Sequence, residues 1–299
     1  MVKYTEPVLI ERLRRRAMLP RTAGLVMGIG DDCAIFRPRG EAEDQLFTTD
    51  MLIEDVHFER ASHSAADVGW KALARGLSDI AAMGGTPSFC LLSLAIAPWV
   101  DGRWIDGFYR GLLAHNVTLA GGDLAHTDRV MADIVVAGRV PHGTALRRDG
   151  AHAGDAIYVS GALGGSALGL ATQRGSAWKL HKRPTPRLAL GQYLREKLGA
   201  TAAMDLSDGL SLDLHRLAAA SRLCAEIWMP PAVAGATPEQ ALHGGEDYEL
   251  LFTVRPGARV PRVFAGVALT RIGTMRKGTA GAVKLYGKRL PPLGYDHLR

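Results

Sequence analysis

The sequence predicts a two-domain protein that mixes α-helices with β-strands, of the α/β or α+β class, and three observations support this. The chain has 299 residues, which exceeds the usual length of a single domain. Short apolar runs typical of strands alternate with longer segments of helical periodicity. A stretch without clear period, 141–154, separates the two halves and predicts domains at 1–142 and 143–299.

The composition narrows the classes of function. Apolar residues make up 47% of the chain and charged residues 22%, as in a globular protein with a large core. The net charge is +6, and the basic residues are scattered except for four arginines between Arg12 and Arg16. A solvated helix face explains that cluster better than a nucleic-acid site, and small anionic substrates fit the excess charge equally well.

The cysteines and the apolar runs indicate the cellular compartment to expect. Cys33, Cys90 and Cys224 are odd in number and far apart, so neither a disulfide framework nor a zinc site is predicted. The longest apolar run, 89–100, contains a proline and is too short to span a membrane. No secretory signal is recognised at the N-terminus. We therefore expect a cytoplasmic protein with neither membrane nor nucleic-acid partners.

Three segments of the first half have helical periodicity. In 5–18, Thr5 can cap the N-terminus and Pro7 suits the first turn. The second predicted helix is 65–83, and the third is 101–115. The apolar stripe of the second helix consists of Trp70, Leu73, Leu77 and Ile80.

Five runs of the first half predict strands. The run 45–51 places Thr48 and Asp50 on one face and Thr49 on the other, because side chains alternate along a strand. The run 88–97 is almost continuously apolar, as in a buried strand. The remaining predicted strands are 34–37, 117–120 and 129–140.

The second half begins with a predicted strand at 156–160. The glycine-rich turn 161–165 then opens a predicted helix that ends near Arg174, which is the layout of a phosphate-binding turn, although the spacing is not the dinucleotide fingerprint. The final third is rich in glycine and proline and permits few assignments. The remaining predicted elements are helices at 184–198 and up to Ser221, and a strand at 250–254.

Carboxylates recur at turns and predicted strand ends. Asp31 and Asp32 follow Gly28 and Gly30, and two adjacent carboxylates repel each other unless a cation or hydrogen-bond donors lie between them. Oxygen ligands of this kind suit Mg²⁺, which binds carboxylates together with substrate phosphates. The other acidic positions are Asp50, Asp123, Asp205, Asp208, Glu246 and Asp247.

Several acidic positions also have a purely structural interpretation. The stretch 28–36 can be a polar turn before a strand. Asp79 can form a salt bridge with Arg75, four residues earlier on the same helix. Ser207 or Asp208 can cap the helix that follows. The common nucleotide motifs are missing, since the sequence contains neither a Gly-x4-Gly-Lys-Ser/Thr loop nor the protein-kinase set.

Seven motifs, spread nearly from end to end, are shared with one family. They are GIGDDCAIF (28–36), TTDMLIEDVHF (48–58), LSDIAAMG (77–84), GGD (121–123), MDLSDGL (204–210), GGEDYEL (244–250) and GYDH (294–297). With them the sequence resembles the thiamine-monophosphate kinases, whose superfamily includes aminoimidazole ribonucleotide synthetase and selenophosphate synthetase. The last two motifs distinguish these kinases from their relatives.

The resemblance implies an architecture like that of aminoimidazole ribonucleotide synthetase. Two α/β domains are expected, and the mixed sheet of the first would pair with its copy in a homodimer, with nucleotide near the interface. It also implies a reaction, in which ATP phosphorylates thiamine monophosphate to thiamine diphosphate by in-line, Mg²⁺-assisted transfer without a general base. A requirement for K⁺ stays open.

The resemblance also implies residue roles. Several Mg²⁺ ions would be held by Asp32, Thr48, Thr49, Asp50, Asp79, Asp123, Asp205 and Asp208. ATP would be contacted by Tyr109, Gly122, Arg148 and Ser207. Thiamine monophosphate would be contacted by His57, Glu246 and Tyr295.

Two positions depart from the family pattern. Asp55 stands where a small glycine is expected, and Leu124 stands where threonine is expected.

Three rival functions remain. The first is another ATP-dependent member of the superfamily that acts on a different phosphate or carbonyl acceptor. The others are a non-catalytic nucleotide-binding regulator and, least favoured, a nucleic-acid binder.

Overall fold

The computed structural model describes residues 6–17 and 23–296 and contains two β-sheets, each with its own helices. The predicted helix ends Thr5 and Met18, and the motif residue His297, lie outside the described residues. The helices are α1 (Glu6–Ala17), α2 (Ala65–Ala82), α3 (Gly102–Leu113), α4 (Gly165–Thr172), α5 (Gly175–Lys182), α6 (Leu188–Tyr193), α7 (Leu210–Ala220) and α8 (Pro238–His243). The strands are β1 (Leu25–Met27), β2 (Ala34–Phe36), β3 (Glu43–Ile53), β4 (Thr86–Ile96), β5 (Thr118–His126), β6 (Met131–Pro141), β7 (Ala156–Ser160), β8 (Ala202–Asp205), β9 (Cys224–Ile227), β10 (Leu250–Val254), β11 (Val263–Phe264), β12 (Val267–Arg276), β13 (Val283–Leu285) and β14 (Lys288–Leu290).

The first sheet is mixed, as predicted. Its strand order is β1-β2-β3-β6-β4-β5, with β4 and β5 parallel and the other pairs antiparallel. One face packs against α2 in a core that contains Leu46, Ile134 and Val136. The other face exposes large apolar side chains, which are Phe47, Met51, Phe89 and Leu91.

Helices α2 and α3 cross at unusually short range. A Cβ atom on Gly69 of α2 would lie 1.9 Å from the carbonyl oxygen of Phe108 on α3. A Cβ atom on Gly111 of α3 would lie 2.0 Å from the carbonyl oxygen of Ala66 on α2. Only glycine allows this approach, which lets α3 cover α2 and keep it buried.

The second sheet has the order β14-β13-β9-β12-β7-β10-β8, and β11 pairs with β12. Only β13 and β9 run parallel among its described pairs. The first sheet ends at Pro141 and the second begins at Ala156, with a single turn of 3₁₀-helix between them. The proposed boundary after residue 142 falls in this connection and stays a prediction.

Helix α2 joins the two halves of the chain. Its last residues, Ala81 and Ala82, share a core with Leu190 and Leu194 of the second half. The indole Nε1 of Trp70 donates a hydrogen bond of 2.7 Å to the carbonyl oxygen of Pro184. Helix α2 is therefore the fixed element against which both sheets are placed. Among the described residues, no helix combines the length and apolar character that crossing a membrane requires.

Asp67, in the first turn of α2, forms a charged link to the second half. Lys182 Nζ lies 2.9 Å and Arg183 Nε 2.5 Å from its carboxylate oxygens. Burial alone would raise the pKa of Asp67, but the hydrogen bonds from these two cations lower it to about 2. The ionised carboxylate is therefore strongly favoured in the folded state.

Replacement of the Asp67 carboxylate is expected to weaken the contact between the two halves of the chain, and the effect should depend on pH. The depressed pKa means that Asp67 stabilises the fold above pH 4, and that this contribution is lost as the pH falls from about 4 to 2. Asp67→Asn should lower the free energy of unfolding by about 2 kcal/mol at pH 7. Denaturant unfolding across pH 2.5–7 measures this, and a difference that does not shrink below pH 4 contradicts it.

Candidate active site

Three carboxylates from separate elements meet in a cleft between the two halves. Asp32 lies in the loop before β2, Asp79 on α2 and Asp205 at the end of β8. Their oxygen atoms all lie within 4.8 Å of one another. The three residues are far apart in the sequence, so the cluster is not visible there. They meet because α2 places Asp79 between the two sheets.

The cluster concentrates negative charge in a buried place. Burial and the charge of Asp205 raise the pKa of Asp79 well above its usual value. Burial and the charge of Asp32 do the same to Asp205. A cation among the three would remove this repulsion, and carboxylate and hydroxyl oxygens are hard ligands that suit Mg²⁺. The residues present therefore fit the metal that the family resemblance implies.

Three polar side chains near the C-terminal end of α2, those of Arg75, Ser78 and Asp79, are held by partners around this cleft. Ser78 Oγ donates a hydrogen bond of 2.7 Å to Asp205, and Thr48 Oγ1 of β3 donates to Asp79. Arg75 Nη2 donates a hydrogen bond of 2.7 Å to Asp50. The alternative interpretation of Asp79 as a salt-bridge partner of Arg75 is not what the structure has, because β3 runs beside α2 and supplies a different partner to each.

Strand β3 presents its side chains as the alternation predicted. Thr48 is buried and Asp50 half-buried, whereas Thr49 is exposed and donates a hydrogen bond to Asp133 on the neighbouring strand. Asp50 lies inside β3 and not at its end, because the strand continues to Ile53.

The two adjacent carboxylates of the first motif have different surroundings. Asp31 accepts hydrogen bonds from the backbone N–H of Asp32, at 3.0 Å, and of Arg148, at 3.1 Å. Burial and the charge of Asp32 raise the pKa of Asp31 to about 7. Asp32 accepts two hydrogen bonds from the Arg148 guanidinium, the shorter at 2.5 Å. Asp31 thus shapes the loop, and Asp32 faces the cluster.

The junction of β8 and α7 differs from the predicted cap. Helix α7 begins at Leu210 with Gly209 as its N-cap, and neither Ser207 nor Asp208 caps it. Asp213, within the first turn, instead accepts the backbone N–H groups of Asp208 and Gly209. The capping hypothesis was wrong because a carboxylate inside the helix folds back over its own start. Ser207 and Asp208 are left to line the cleft.

The GGEDYEL stretch is held in a strained conformation. Glu246 and Tyr248 have φ values of 63° and 51°, in the left-handed region that favours glycine. The carboxylate of Asp247 accepts the backbone N–H groups of Gly164 and Ser166 at the start of α4. The turn with the layout of a phosphate-binding site therefore has these two N–H groups paired with the chain's own carboxylate.

Glu246 is anchored by a fully buried lysine. Lys71 Nζ lies 2.9 Å from Glu246 Oε2 and 3.0 Å from the carbonyl oxygen of His57. Burial would raise the pKa of Glu246, but the charge of Lys71 lowers it to about 2. Lys71 thus connects α2 to two residues predicted to contact the substrate.

Loss of the Glu246 carboxylate alone should destabilise the protein. Glu246→Gln leaves the Lys71 ammonium buried without its counter-charge, so we expect about 3–5 kcal/mol less stability. The double variant Lys71→Met/Glu246→Gln should recover most of that loss because no charge is then stranded. Denaturant unfolding compares the two variants, and equal losses in both argue against the ion pair as the cause.

Two cavities share several polar residues, among them Asp32 of the acidic cluster. The smaller has a volume of about 370 Å³ and includes His57, Glu246 and Tyr295 in its lining. The larger has a volume of about 1070 Å³ and is lined by apolar residues such as Ile29 and Leu212. The residues common to both are Asp31, Asp32, Thr48, Thr49, Arg148, Ser207 and Asp208.

Twelve of the fifteen residues predicted for the site line the smaller cavity, and three do not. The three are Tyr109, Gly122 and Asp123. Asp123 is exposed inside β5, which is separated from β3 by two strands, and it belongs neither to the cluster nor to the lining of this cavity. Tyr109 packs against the first core, and Gly122 lies close to Leu92 of β4. Their roles, like those of the other twelve, stay predictions.

Sequence reasoning missed two cationic residues of the site. Lys71 and Arg75 lie one turn apart on α2, followed by Ser78 and Asp79 after another turn. A polar stripe on a helix that is otherwise almost entirely buried is the signal that could have found them. Asp55, which departs from the family pattern, has a φ of 64° in the region that favours glycine, and its exposed carboxylate lies 3.7 Å from Arg129 Nε.

The family follows from comparison with known proteins. The family model for the N-terminal domain of AIR synthase related proteins matches residues 30–140, and the model for the C-terminal domain matches residues 152–285. The chain belongs to the AIR synthase related family. The expected fold of two α/β domains with mixed sheets is thereby confirmed.

Similar proteins define the group within the family. The thiamine-monophosphate kinase of Rhodopirellula baltica is 37% identical, over 95% of this chain and 94% of its own. A structure of AaThiL complexed with AMPPCP and TMP has a TM-score of 0.85 and 29% identity, covering 99% of both chains. The thiamine-monophosphate kinase of Stenotrophomonas maltophilia has a TM-score of 0.74 and 35% identity, covering 94% and 96%. The resemblance noted in the sequence is confirmed.

Proposed function

We propose that this protein is an ATP-dependent kinase that converts thiamine monophosphate to thiamine diphosphate. The observation that carries the proposal is the acidic cluster, which lines the smaller cavity and shares Asp32 with the larger one, in a chain whose similar proteins are named thiamine-monophosphate kinases. The related AaThiL structure holds AMPPCP, an analogue of ATP, together with TMP. Two organic ligands that meet through their phosphates fit two cavities that meet at carboxylates.

Each cavity suits one substrate. The larger cavity offers apolar surface for a nucleotide base, and Arg148 and Ser207 at the junction lie where its phosphates would be. The smaller cavity presents the Glu246 carboxylate, which stays ionised at neutral pH and complements the positively charged thiazolium ring of thiamine. We assign His57 and Tyr295, which line the same cavity, to the same substrate.

The chemistry requires charge neutralisation more than proton transfer. The acceptor is a phosphate monoester with a second pKa near 6, so its attacking oxygen is already anionic at neutral pH. Mg²⁺ bound by Asp32, Asp79 and Asp205 would neutralise the repulsion between the two phosphates and stabilise the charge of in-line transfer. The chain contributes orientation, since Arg148 fixes Asp32 and Ser78 fixes Asp205.

We propose that the active unit is a homodimer in the cytoplasm. The open face of the first sheet carries Phe47, Met51, Phe89 and Leu91, an apolar surface that a second copy would cover. In such a dimer, Asp123 of β5 in one copy would lie towards the cleft of the other copy. The three cysteines are free, as expected in a reducing compartment.

Product analysis tests the proposed function. Purified protein is incubated with ATP, Mg²⁺ and thiamine monophosphate, and chromatography should show thiamine diphosphate and ADP in equal amounts. Parallel reactions contain phosphorylated acceptors of other classes. ADP release driven by one of these acceptors, without thiamine diphosphate, would favour the rival in the same superfamily, and ATP binding without turnover would favour a regulator.

A further inference from the structure

Arg75 lines the smaller cavity, and two nitrogens of its guanidinium have no hydrogen-bond partner among the described residues. Arg75 is only 8% exposed and lines that cavity. Its Nη2 donates to Asp50, whereas Nε and Nη1 have no hydrogen-bond partner within the described part of the chain. A buried donor without a partner is costly, so such a group in a functional cleft indicates a missing ligand.

The position of Arg75 indicates an anion as that ligand. Arg148, the other arginine of this cavity, already directs Nε and Nη2 at Asp32. Lys71 is committed to Glu246 and the backbone of His57, and it does not line the cavity. Arg75, in contrast, has two buried nitrogens that no described group pairs with, and an incoming negative group would satisfy them.

The anion belongs to the acceptor and not to the nucleotide. Arg75 lines the smaller cavity, where Glu246 and Tyr295 lie, and is not part of the larger one. It also lies one helical turn before Asp79, so a group bound by it would lie beside the acidic cluster. A phosphate monoester placed there would meet Arg75 on one side and the phosphoryl donor on the other.

We propose that Arg75 binds the phosphate monoester of the acceptor and makes the site selective for the phosphorylated substrate over its free alcohol. This inference rests on the proposed function, since it assigns the acceptor to the smaller cavity. The planar guanidinium suits phosphate oxygens, and its hydrogen bond to Asp50 fixes its orientation before the substrate arrives. Arg75 is thus a binding residue that discriminates by the presence of phosphate.

Equilibrium binding tests the inference independently of turnover. Dissociation constants for thiamine monophosphate and for thiamine are measured by calorimetry on the wild type and on Arg75→Gln. The affinity of the variant for thiamine monophosphate should fall about 10- to 100-fold, whereas its affinity for thiamine should stay within about twofold. The KM for thiamine monophosphate should rise in parallel, and the KM for ATP should stay unchanged.

A matched control and a second variant keep the outcome clear. Arg183→Gln removes another arginine that pairs with a carboxylate of α2, outside the cavity, and should leave the ratio of the two affinities unchanged. If Arg75→Gln does not fold, Arg75→Lys keeps the charge but loses the planar fork, and the ratio should still fall about threefold or more.

Two results would overturn the inference. One is an unchanged ratio of affinities in whichever Arg75 variant folds. The other is a change only in the Mg²⁺ concentration needed for activity, which would show that Arg75 merely balances the charge of Asp50. Both results differ from failure of the proposed function, in which the wild type itself forms no thiamine diphosphate.

Discussion

Asp79→Asn is expected to lower turnover at least about a thousandfold and, without divalent cations, to raise the melting temperature by about 2–4 °C. The loss of activity follows because the central carboxylate of the cluster no longer holds a cation against the phosphates. The gain in stability follows because burial and the neighbouring carboxylates raise the pKa of Asp79, so that its carboxyl group is unfavourably placed and a neutral amide relieves this. The same substitution therefore has opposite effects on function and on the metal-free fold.

Thermal unfolding with and without Mg²⁺ measures the second effect. The wild type should be stabilised as Mg²⁺ is added, and Asp79→Asn should respond much less. Asp106→Asn, which makes the same change at an exposed position of the neighbouring helix α3, serves as the control and should behave as the wild type. A variant that loses activity but keeps the full Mg²⁺ response would show that Asp79 holds no cation.

Asp123→Asn is expected to abolish turnover although Asp123 lies outside the cleft of its own chain. The proposed dimer explains this, because Asp123 would complete the site of the second copy. Co-refolding Asp123→Asn with Asp79→Asn should therefore restore activity. Each mixed dimer would contain one intact site, and a random mixture should reach about a quarter of the wild-type rate.

The two variants measured separately are the reference for this mixture. Sedimentation at the assay concentration establishes whether dimers are present. A dimeric mixture that remains as inactive as its components would show that Asp123 acts within its own chain or not at all. Full activity of Asp123→Asn alone would remove this residue from the site.

The elements that the sequence predicted well are those with a strong local signal. The alternation of β3 places Thr48 and Asp50 on one face, as observed. The apolar stripe of α2 predicts a helix that the structure confirms to within one residue. Both depend on side-chain periodicity, which a single sequence displays directly.

The misassigned contacts depend on which elements pack together. Arg75 has an acidic neighbour four residues away on α2, but β3 offers Asp50 at a better position. The glycine turn before α4 has the layout of a phosphate site, but Asp247 reaches it from 81 residues away. The short strands of the second sheet, such as β9 and β13, gain their definition from neighbours in the sheet and not from their own few residues.

The polar stripe on α2 fixes the distance between two parts of this site. Lys71, which holds the carboxylate that we propose binds the thiamine ring, and Asp79, which belongs to the acidic cluster, stand eight residues apart on one buried helix. At 1.5 Å per residue this sets a separation of about 12 Å along the axis, which no movement between the two sheets can change. Acceptors whose linker between ring and phosphate is shorter or longer than that of thiamine monophosphate should therefore be rejected by length alone.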